Sequence, residues 1–155
     1  MTYYDSISAG YNELHNAEQE AKVRTILSQL GKIEGLLDVG CGTGKAIAQV
    51  KCRKIGIDPS FELLKQASFP VVQGIGEALP FKDDSFDTVL CVTALHNFDN
   101  PKKGLEEMKR VGRKQFAITV LKKAKEYKKL CSLIKDQFTC SEVDNKHDTI
   151  FVCNK

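Results

Sequence analysis

A glycine-rich run with one acidic residue in front of it is the clearest chemical signal in the sequence. It reads Asp-Val-Gly-Cys-Gly-Thr-Gly over 38–44 and follows the apolar pair Leu36 and Leu37. Glycines let the backbone approach a ligand closely, and a strand running into a helix there would aim N–H groups at it. A dinucleotide fingerprint would need glycine at Lys45, and a phosphate loop would need Ser or Thr at Ala46. The run therefore predicts a binding turn for a ligand other than a diphosphate.

A second carboxylate ends the next apolar run. Asp58 lies 18 residues after Gly40, within Gly-Ile-Asp-Pro-Ser over 56–60. At the carboxyl end of a strand, a carboxylate can accept hydrogen bonds from both hydroxyls of a ribose. Asp38 would repel phosphate but attract an ammonium group. Together the two acids predict a pocket for adenosine joined to an amino acid.

Histidine and cysteine side chains are the other candidates for chemistry. His96 is the histidine nearest the predicted cleft, where it would act either as a general base or as a structural histidine. Cys41 suits the turn because it is small, and Cys91, in Val-Leu-Cys-Val, is predicted to be a core thiol. The six cysteines include no Cys-x-x-Cys pair, so we predict no metal site and mostly reduced thiols.

Short apolar runs, alternating with amphipathic segments, must position these residues. The runs predict strands at 35–39, 54–57, 71–72, 86–93 and 115–121, with helices between them at 45–50, 61–67 and 102–111 and a lysine-rich helix in 120–134. An earlier helix is predicted over 16–30, because Asn16 and Gln19 have capping-box spacing and Gly31 can end it. This alternation predicts an α/β fold, a parallel sheet with helices on both faces.

The end of the chain breaks that alternation. Two strand-like runs, 138–143 and 149–153, are separated only by 144–148, which is too short for a crossover and predicts a hairpin. The hairpin would add one antiparallel strand to the sheet. Its register would place Cys140 opposite Cys153, where a disulfide is sterically conceivable but disfavoured in a reducing cytosol.

Composition and charge limit which folds and partners are possible. With 155 residues, 42% hydrophobic and 28% charged, the chain is expected to form one domain over 1–155: an N-terminal arm and helix in 1–30 and a core in 31–155. No stretch approaches ~18 apolar residues and the start lacks a signal-like pattern, so we expect a cytoplasmic protein with no membrane partner. Residues 101–135 hold 12 Lys and Arg against 3 acids, which indicates either a solvated face or a surface for RNA or an activating protein subunit.

In four motifs, the chain resembles the class I S-adenosylmethionine-dependent methyltransferases, and within them the small type 11 domain. The motifs occur in order: Leu-Asp-Val-Gly-Cys-Gly-Thr-Gly, Gly-Ile-Asp-Pro-Ser, then Gly-Ile-Gly-Glu-Ala-Leu-Pro-Phe with Asp-Ser-Phe-Asp-Thr-Val, and Thr-Ala-Leu-His-Asn-Phe at 93–98. The resemblance implies a three-layer, Rossmann-like, seven-stranded sheet that is mostly parallel and has an antiparallel C-terminal hairpin strand. It also implies S-adenosyl-L-methionine as cofactor.

The resemblance further implies which residues hold that cofactor. Those expected at its methionine part are Asp38 near the ammonium, Gly40, Cys41, Gly42, Gly44, Thr93 and Leu95. Those expected at the ribose and adenine are Asp58, Ser60 and the backbone of Gly76 and Glu77. Many relatives carry an acid where Ile75 stands, so adenine is expected to be held by backbone and apolar contact. Tyr4 and Tyr11 would either shield the sulfonium or pack as part of the N-terminal helix.

The methyl acceptor stays open at this point. The sequence lacks Asn/Asp-Pro-Pro-Tyr at 93–98, which argues against transfer to an exocyclic amine or a glutamine amide. Three functions remain: a methyltransferase for a small molecule, which we favour; one for tRNA or a translation protein that needs a partner subunit; and a non-catalytic cofactor-binding protein. Few residues separate the late elements, so we expect an open acceptor cleft covered at most by residues 1–15.

Overall fold

Seven strands form one mixed sheet. The structure, a computed structural model, describes residues 9–155, with side chains described from Glu13 onward. The strands are β1 (Gly35–Val39), β2 (Arg53–Asp58), β3 (Val71–Gln73), β4 (Phe86–Cys91), β5 (Gly112–Leu121), β6 (Thr139–Asp144) and β7 (Asp148–Asn154). Their order is β3-β2-β1-β4-β5-β7-β6, and β7 runs antiparallel to both of its neighbours. The predicted fold class is confirmed, including the reversed strand.

Within residues 9–155, one α-helix precedes the first strand, and three further α-helices and a short 3₁₀ turn lie between later strands. They are α1 (Ala9–Gln29), α2 (Phe61–Leu64), α3 (Pro101–Val111) and α4 (Tyr127–Gln137), with the 3₁₀ turn at Leu95–Asn97. The capping-box interpretation is wrong, because α1 begins at Ala9 and runs through Asn16. The lysine-rich helix begins later than predicted because β5 continues to Leu121.

The helix predicted over 45–50 is absent, which corrects the strand-turn-helix expectation for the glycine run. The segment consists of consecutive turns, in which Ile47 N donates to the Gly44 carbonyl and Val50 N to the Ile47 carbonyl. These bonds span three residues rather than the four of an α-helix. The glycine turn therefore does not lead into a long helix.

Alternate residues of the central strands pack on opposite faces of the sheet. One face, covered by α1, buries Leu36, Leu90, Ala117 and Ile150 together with Val23 and Ile26. The other face, covered by α3 and α4, buries Leu37, Val89, Phe116 and Phe151 together with Leu105 and Ile134. Burial on both faces explains why these strands are short continuous apolar runs in the sequence.

The hairpin of β6 and β7 has the predicted register. Cys140 lies directly opposite Cys153, with their Cα atoms 4.1 Å apart, and the two sulfurs form a disulfide. The expectation of reduced thiols is therefore wrong for this pair, because the register brings the two side chains together. The cysteines at 41, 52, 91 and 131 are free.

The topology places the carboxyl ends of six strands at one edge of the sheet. Strands β1 to β6 all run in the same direction and end there, and the reversed strand β7 begins there. In open α/β sheets this carboxyl edge is where ligands bind. Among the helices described in 9–155, none has the length and apolar character needed to cross a membrane.

Candidate functional site

The turn after β1 has a conformation that requires its glycines. Gly40, Gly42 and Gly44 have φ values of 79°, 56° and 78°, in the left-handed region that side chains disfavour. A Cβ at Gly40 would lie 2.5 Å from the Cβ of Ala94, so the turn packs closely against the loop after β4. At Gly42, by contrast, the nearest atom would be 3.9 Å away, on Leu63. The open side of the turn is therefore at Gly42, where a ligand has room.

Cys41 anchors the turn from beneath. Its side chain packs so closely on β2 that a Cβ at Gly56 would lie 2.5 Å from the sulfur, and its N–H donates to the Ile57 carbonyl at 3.1 Å. Burial, and secondarily the charges of Asp38 and Asp58, raises the pKa of this thiol. Cys41 is therefore a protonated packing residue, which agrees with the choice of a small side chain at this position.

Asp38 is the least satisfied polar group of the site. The side chain is buried in β1, and its Oδ1 has no hydrogen-bond partner among the described residues. Burial, followed by repulsion from Asp58, raises its pKa to about 7. A buried carboxylate without a partner is costly, and a cation or hydrogen-bond donor placed beside it would remove that cost.

Asp58 closes the other side of the turn. One oxygen accepts from Gly42 N and the other from Ser60 N, both at 2.9 Å. Each carboxylate oxygen retains a further lone-pair site, so both can still accept a hydroxyl. The Ser60 hydroxyl accepts from Leu63 N at 3.3 Å and begins α2 as its N-cap. The structure thus bonds Asp58 to Gly42 and places it close enough to Asp38 for the two carboxylates to repel each other.

The loop after β3 lies beside this turn. Gly76 is packed under Phe98, since a Cβ there would lie 2.3 Å from the ring. The Glu77 carboxylate accepts from Asn100 N at 3.1 Å, just before α3, so its side chain is occupied. Ile75 is 50% exposed and presents an apolar surface.

The loop after β4 brings Thr93, Leu95 and His96 to the same edge. Thr93 has a φ of 54°, while the Leu95 side chain is fully buried in the core, so only its backbone can face a ligand. The Nδ1 atom of His96 is buried without a hydrogen-bond partner among residues 9–155. Burial lowers the pKa of His96 and the nearby Asp148 carboxylate partly offsets that effect, so the imidazole is neutral at pH 7.

A buried polar cluster at this edge was missed by the sequence analysis. Lys22 of α1 contacts Thr93 and Asp148, and Thr93 N donates to the Thr119 hydroxyl at 2.7 Å. No local pattern marks it, because Lys22 resembles other helix lysines and Asp148 was assigned to a turn. One weak signal was available in the sequence of α1. Lys22 directly precedes Val23 and lies four residues before Ile26, and both of these apolar residues are buried, so Lys22 falls on the inward face of the helix.

The two N-terminal tyrosines were expected either to shield the sulfonium or to pack as part of the N-terminal helix, and their side chains lie outside the described part of the chain. Tyr4 lies outside the described residues. Tyr11 belongs to the first turns of α1, where only the backbone is described.

No group of three or more His, Cys, Asp or Glu side chains within the described part of the chain is arranged to hold a metal ion.

Known proteins share both the sequence pattern and the fold. The uncharacterized protein MJ1252 of Methanocaldococcus jannaschii is 34% identical over 115 residues, which cover 70% of this chain and 45% of that protein. The demethylmenaquinone methyltransferase of Renibacterium salmoninarum is 35% identical over 98 residues, covering 57% of this chain and 41% of that enzyme. The chain thus spans about half the length of the curated relatives it matches.

A solved structure extends the similarity of fold over nearly the whole chain. The Haloferax volcanii putative methyltransferase, solved in complex with the Trm112 methyltransferase activator, aligns with a TM-score of 0.77 at 17% identity and covers 94% of each chain. The sequence profile of the methyltransferase domain family matches residues 37–118, from β1 through most of β5. That match includes the glycine turn, both acids and the loop after β4, so the chain belongs to the methyltransferase domain family.

Proposed function

We propose that the protein is an S-adenosylmethionine-dependent methyltransferase whose acceptor is a small molecule. The observation that carries this proposal is the buried, unpartnered Oδ1 of Asp38 beside the open side of the turn at Gly42. The amino-acid end of the cofactor carries an ammonium group, which would supply the missing partner. A phosphate at the same place would meet two carboxylates, Asp38 and Asp58, and would be repelled.

The remaining contacts follow from the same arrangement. The glycine turn, with Cys41 packed beneath it, would run along the methionine part, and Thr93 and the backbone of Leu95 would border it on the other side. Asp58 would accept the two ribose hydroxyls at its free lone pairs, with Ser60 beside them. The adenine would lie on the apolar surface of Ile75 and along the backbone of Gly76 and Glu77.

Positioning and exclusion of water are what this chain contributes to the transfer. S-adenosylmethionine, when bound, supplies a methyl group on a positively charged sulfur, which is already an activated leaving group. Holding the acceptor in line with that methyl can supply several kcal/mol through effective molarity. His96 would act as general base for an acceptor that is protonated at pH 7, because its imidazole is neutral and its Nδ1 is free to accept a proton.

A small-molecule acceptor is supported by the relatives. The demethylmenaquinone methyltransferase reported above is named for its small-molecule acceptor, and it is 35% identical to this chain over 98 residues. We therefore extend the acceptor class to this chain as a proposal and name no particular compound.

The second candidate is transfer to tRNA or a translation protein, with an activating subunit. A basic groove of about 540 Å³ follows the end of β5 and is lined by Lys122, Lys125, Glu126, Tyr127, Lys128 and Lys129. It lies at the carboxyl edge, the same edge as the cofactor site, where an anionic acceptor would approach. The activator complex of the Haloferax neighbour motivates the partner.

Other charges of the basic segment are used within the fold. Arg110 is bonded to Glu107 and Asp83 at 2.6 and 2.9 Å, which raises its pKa, and Lys135 pairs with Glu142 at 3.5 Å. Within the groove, Lys122 pairs with Asp144 and Lys129 lies 3.8 Å from Glu126, so the basic surface that could receive an anionic partner is smaller than the whole segment 101–135. The second candidate stays in the test below because the groove lies at the same edge as the proposed cofactor site.

The proposal is tested by transfer of a tritiated methyl group from S-adenosylmethionine in a cell extract, with and without ribonuclease. We expect label in a low-mass fraction that survives ribonuclease and that falls about tenfold with Asp38→Asn protein when S-adenosylmethionine is kept below its Kd. Label in a ribonuclease-sensitive or protein fraction would replace the small molecule by the second candidate. Cofactor binding without any labelled product would indicate a non-catalytic binding protein, and the absence of cofactor binding would refute all three functions.

A further inference from the structure

A buried ammonium group lies within the fold at the carboxyl edge. Lys22, on α1, is only 7% exposed, and its Nζ contacts Asp148 Oδ1 at 2.9 Å; Asp148 is fully buried at the start of β7. Burying two charges costs several kcal/mol per ion before their attraction offsets it, and apolar residues of similar size often serve stability as well. Stability alone is therefore a poor explanation for this pair.

The third member of the cluster has a strained backbone. Lys22 Nζ also donates to Thr93 Oγ1 at 2.7 Å, and Thr93 has a φ of 54°. A β-branched residue in the left-handed region costs about 1–3 kcal/mol and persists only where its surroundings impose it. The bond from Lys22 is the shortest that the Thr93 hydroxyl makes, since Asp148 Oδ2 lies at 3.3 Å and Gln19 Oε1 and Thr119 Oγ1 at 3.4 Å. The Thr119 hydroxyl also accepts from the N–H of Thr93 at 2.7 Å. Both ends of the strained residue are thus fixed.

The strained residue directly precedes a wall of the cofactor site. Ala94 follows Thr93 and packs so closely on the glycine turn that a Cβ at Gly40 would lie 2.5 Å from its own. A relaxed Thr93 would turn Ala94 and the following 3₁₀ segment in a different direction. The position of that wall therefore depends on the hydrogen bonds that hold Thr93.

We propose that Lys22 is a positioning residue for the cofactor site. Anchored by Asp148, its ammonium holds Thr93 in the left-handed conformation, which sets Ala94 against the glycine turn. The N-terminal helix α1 is thereby coupled to cofactor binding, although it contributes no residue of the four motifs. This inference rests on the proposed cofactor site.

A purely structural role makes a different prediction. If the pair only fastened α1 to the sheet, then replacing both charges by neutral groups of similar shape would restore stability and binding together. Removing one partner leaves a buried charge unpaired, whereas removing both can be nearly neutral for folding. A positioning role predicts that the double variant recovers stability but not affinity, because Thr93 still lacks its donor.

The test compares Lys22→Met, the double variant Lys22→Met/Asp148→Asn and the wild type by thermal unfolding and by calorimetric titration with S-adenosylmethionine. For the single variant we expect a lower unfolding temperature and a Kd at least tenfold higher. The double variant should recover most of the unfolding temperature while its Kd stays at least tenfold higher. A double variant with a Kd within twofold of wild type would overturn the proposal; a wild type that does not bind would refute the proposed function instead.

A matched control exists at the opposite edge of the sheet. Asp84 is also a non-glycine residue with a positive φ, 53°, and its carboxylate accepts from Lys155 Nζ at 2.7 Å. The double variant Lys155→Met/Asp84→Asn likewise removes the lysine contact of a residue with positive φ, but it does so far from the glycine turn. We expect its Kd to stay within twofold of wild type.

A second variant keeps the proposal testable if Lys22→Met fails to fold. Thr93→Val removes only the hydroxyl and keeps the Lys22–Asp148 ion pair. Since Lys22 acts through that hydroxyl, Thr93→Val should raise the Kd for S-adenosylmethionine. Adding Lys22→Met/Asp148→Asn to Thr93→Val should then raise the Kd by no more than a further twofold. Independent, multiplying losses would contradict the proposal.

Discussion

Two buried aspartates on neighbouring strands have opposite environments. Asp38 lies near the carboxyl end of β1 and Asp87 near the amino end of β4, and they are 3% and 4% exposed. Asp87 accepts from the N–H groups of Glu34 and Gly35 at 3.0 and 2.7 Å and from the Thr88 hydroxyl at 2.6 Å. Burial alone would raise its pKa, but these hydrogen bonds lower it below the ordinary value. Asp38 lacks such donors at Oδ1, and its burial, followed by repulsion from Asp58, raises its pKa to about 7.

The difference separates a carboxylate that the fold satisfies with hydrogen bonds from one whose Oδ1 has no partner among the described residues. Asp87 supplies acceptors that the backbone around β1 needs, so its charge is stabilised within the fold. Asp38 carries a free-energy cost that the fold leaves uncompensated, and such unfavourable groups concentrate at functional sites. Asp38 and Asp87 have similar exposure, so their hydrogen-bond partners, rather than their exposure, distinguish their environments.

The largest expected effect is on the structural side. Asp87→Ala leaves two backbone N–H groups and a hydroxyl without their acceptor, so we expect the free energy of unfolding to fall by about 4 kcal/mol. Denaturant titration measures this loss. At denaturant concentrations below its lowered unfolding midpoint, the Asp87→Ala variant should still bind S-adenosylmethionine. Asp87→Asn keeps one acceptor oxygen, so its free energy of unfolding should fall by less than half as much. An Asp87→Ala protein as stable as wild type would contradict the structural assignment.

The second effect is the pH dependence of ligand-free stability. The folded pKa of Asp38, about 7, exceeds its ordinary value of 3.8, so the unfolded chain loses this proton at lower pH than the folded protein does. The stabilising contribution of the protonated form is therefore complete below pH 4 and lost as pH rises to 7. Relative to Asp38→Asn, wild type should lose about 2 kcal/mol between pH 5 and pH 8. Parallel stability curves for the two proteins would refute the raised pKa.

The smallest of the three effects is on affinity. Asp38→Asn removes the charge that would pair with the ligand's ammonium, so the Kd for S-adenosylmethionine at pH 7.5 should rise about tenfold, or about 1.4 kcal/mol. Calorimetric titration measures it, with Asp87→Asn as the matched control at the other edge. Unchanged affinity in Asp38→Asn, or an equal loss in both variants, would remove the distinction between the two aspartates.

The sequence predicted the strands and the carboxylate pair because both depend on local patterns. Buried parallel strands are short apolar runs, so the bounds of β1 were predicted to the residue and those of β2 and β4 to within two. The acid-and-glycine spacing similarly reflects a local backbone conformation, confirmed by the positive φ values of the glycines. The strand bounds and the conformation of the glycine turn could therefore be predicted from local sequence patterns.

Nonlocal and energetic features could not be predicted in this way. Lys22 and Asp148 meet only because α1 packs beside the start of β7, and neither has a neighbour in sequence that signals the other. The helix expected at 45–50 was wrong because a short apolar stretch fits turns as well as a helix. The register of Cys140 and Cys153 followed from the hairpin, but whether they bond depends on chemistry outside that pattern.

Proton release on cofactor binding tests the central claim most directly. At pH 6.5, with a pKa of about 7, Asp38 is mostly protonated in the free protein, and pairing with an ammonium would require it to ionise. Calorimetric titration with S-adenosylmethionine in two buffers of different ionisation enthalpy should show one-site binding with release of between half a proton and one proton, and Asp38→Asn should show none. Binding without proton release, or no saturable binding at all, would contradict the assignment of Asp38 as the ammonium receptor.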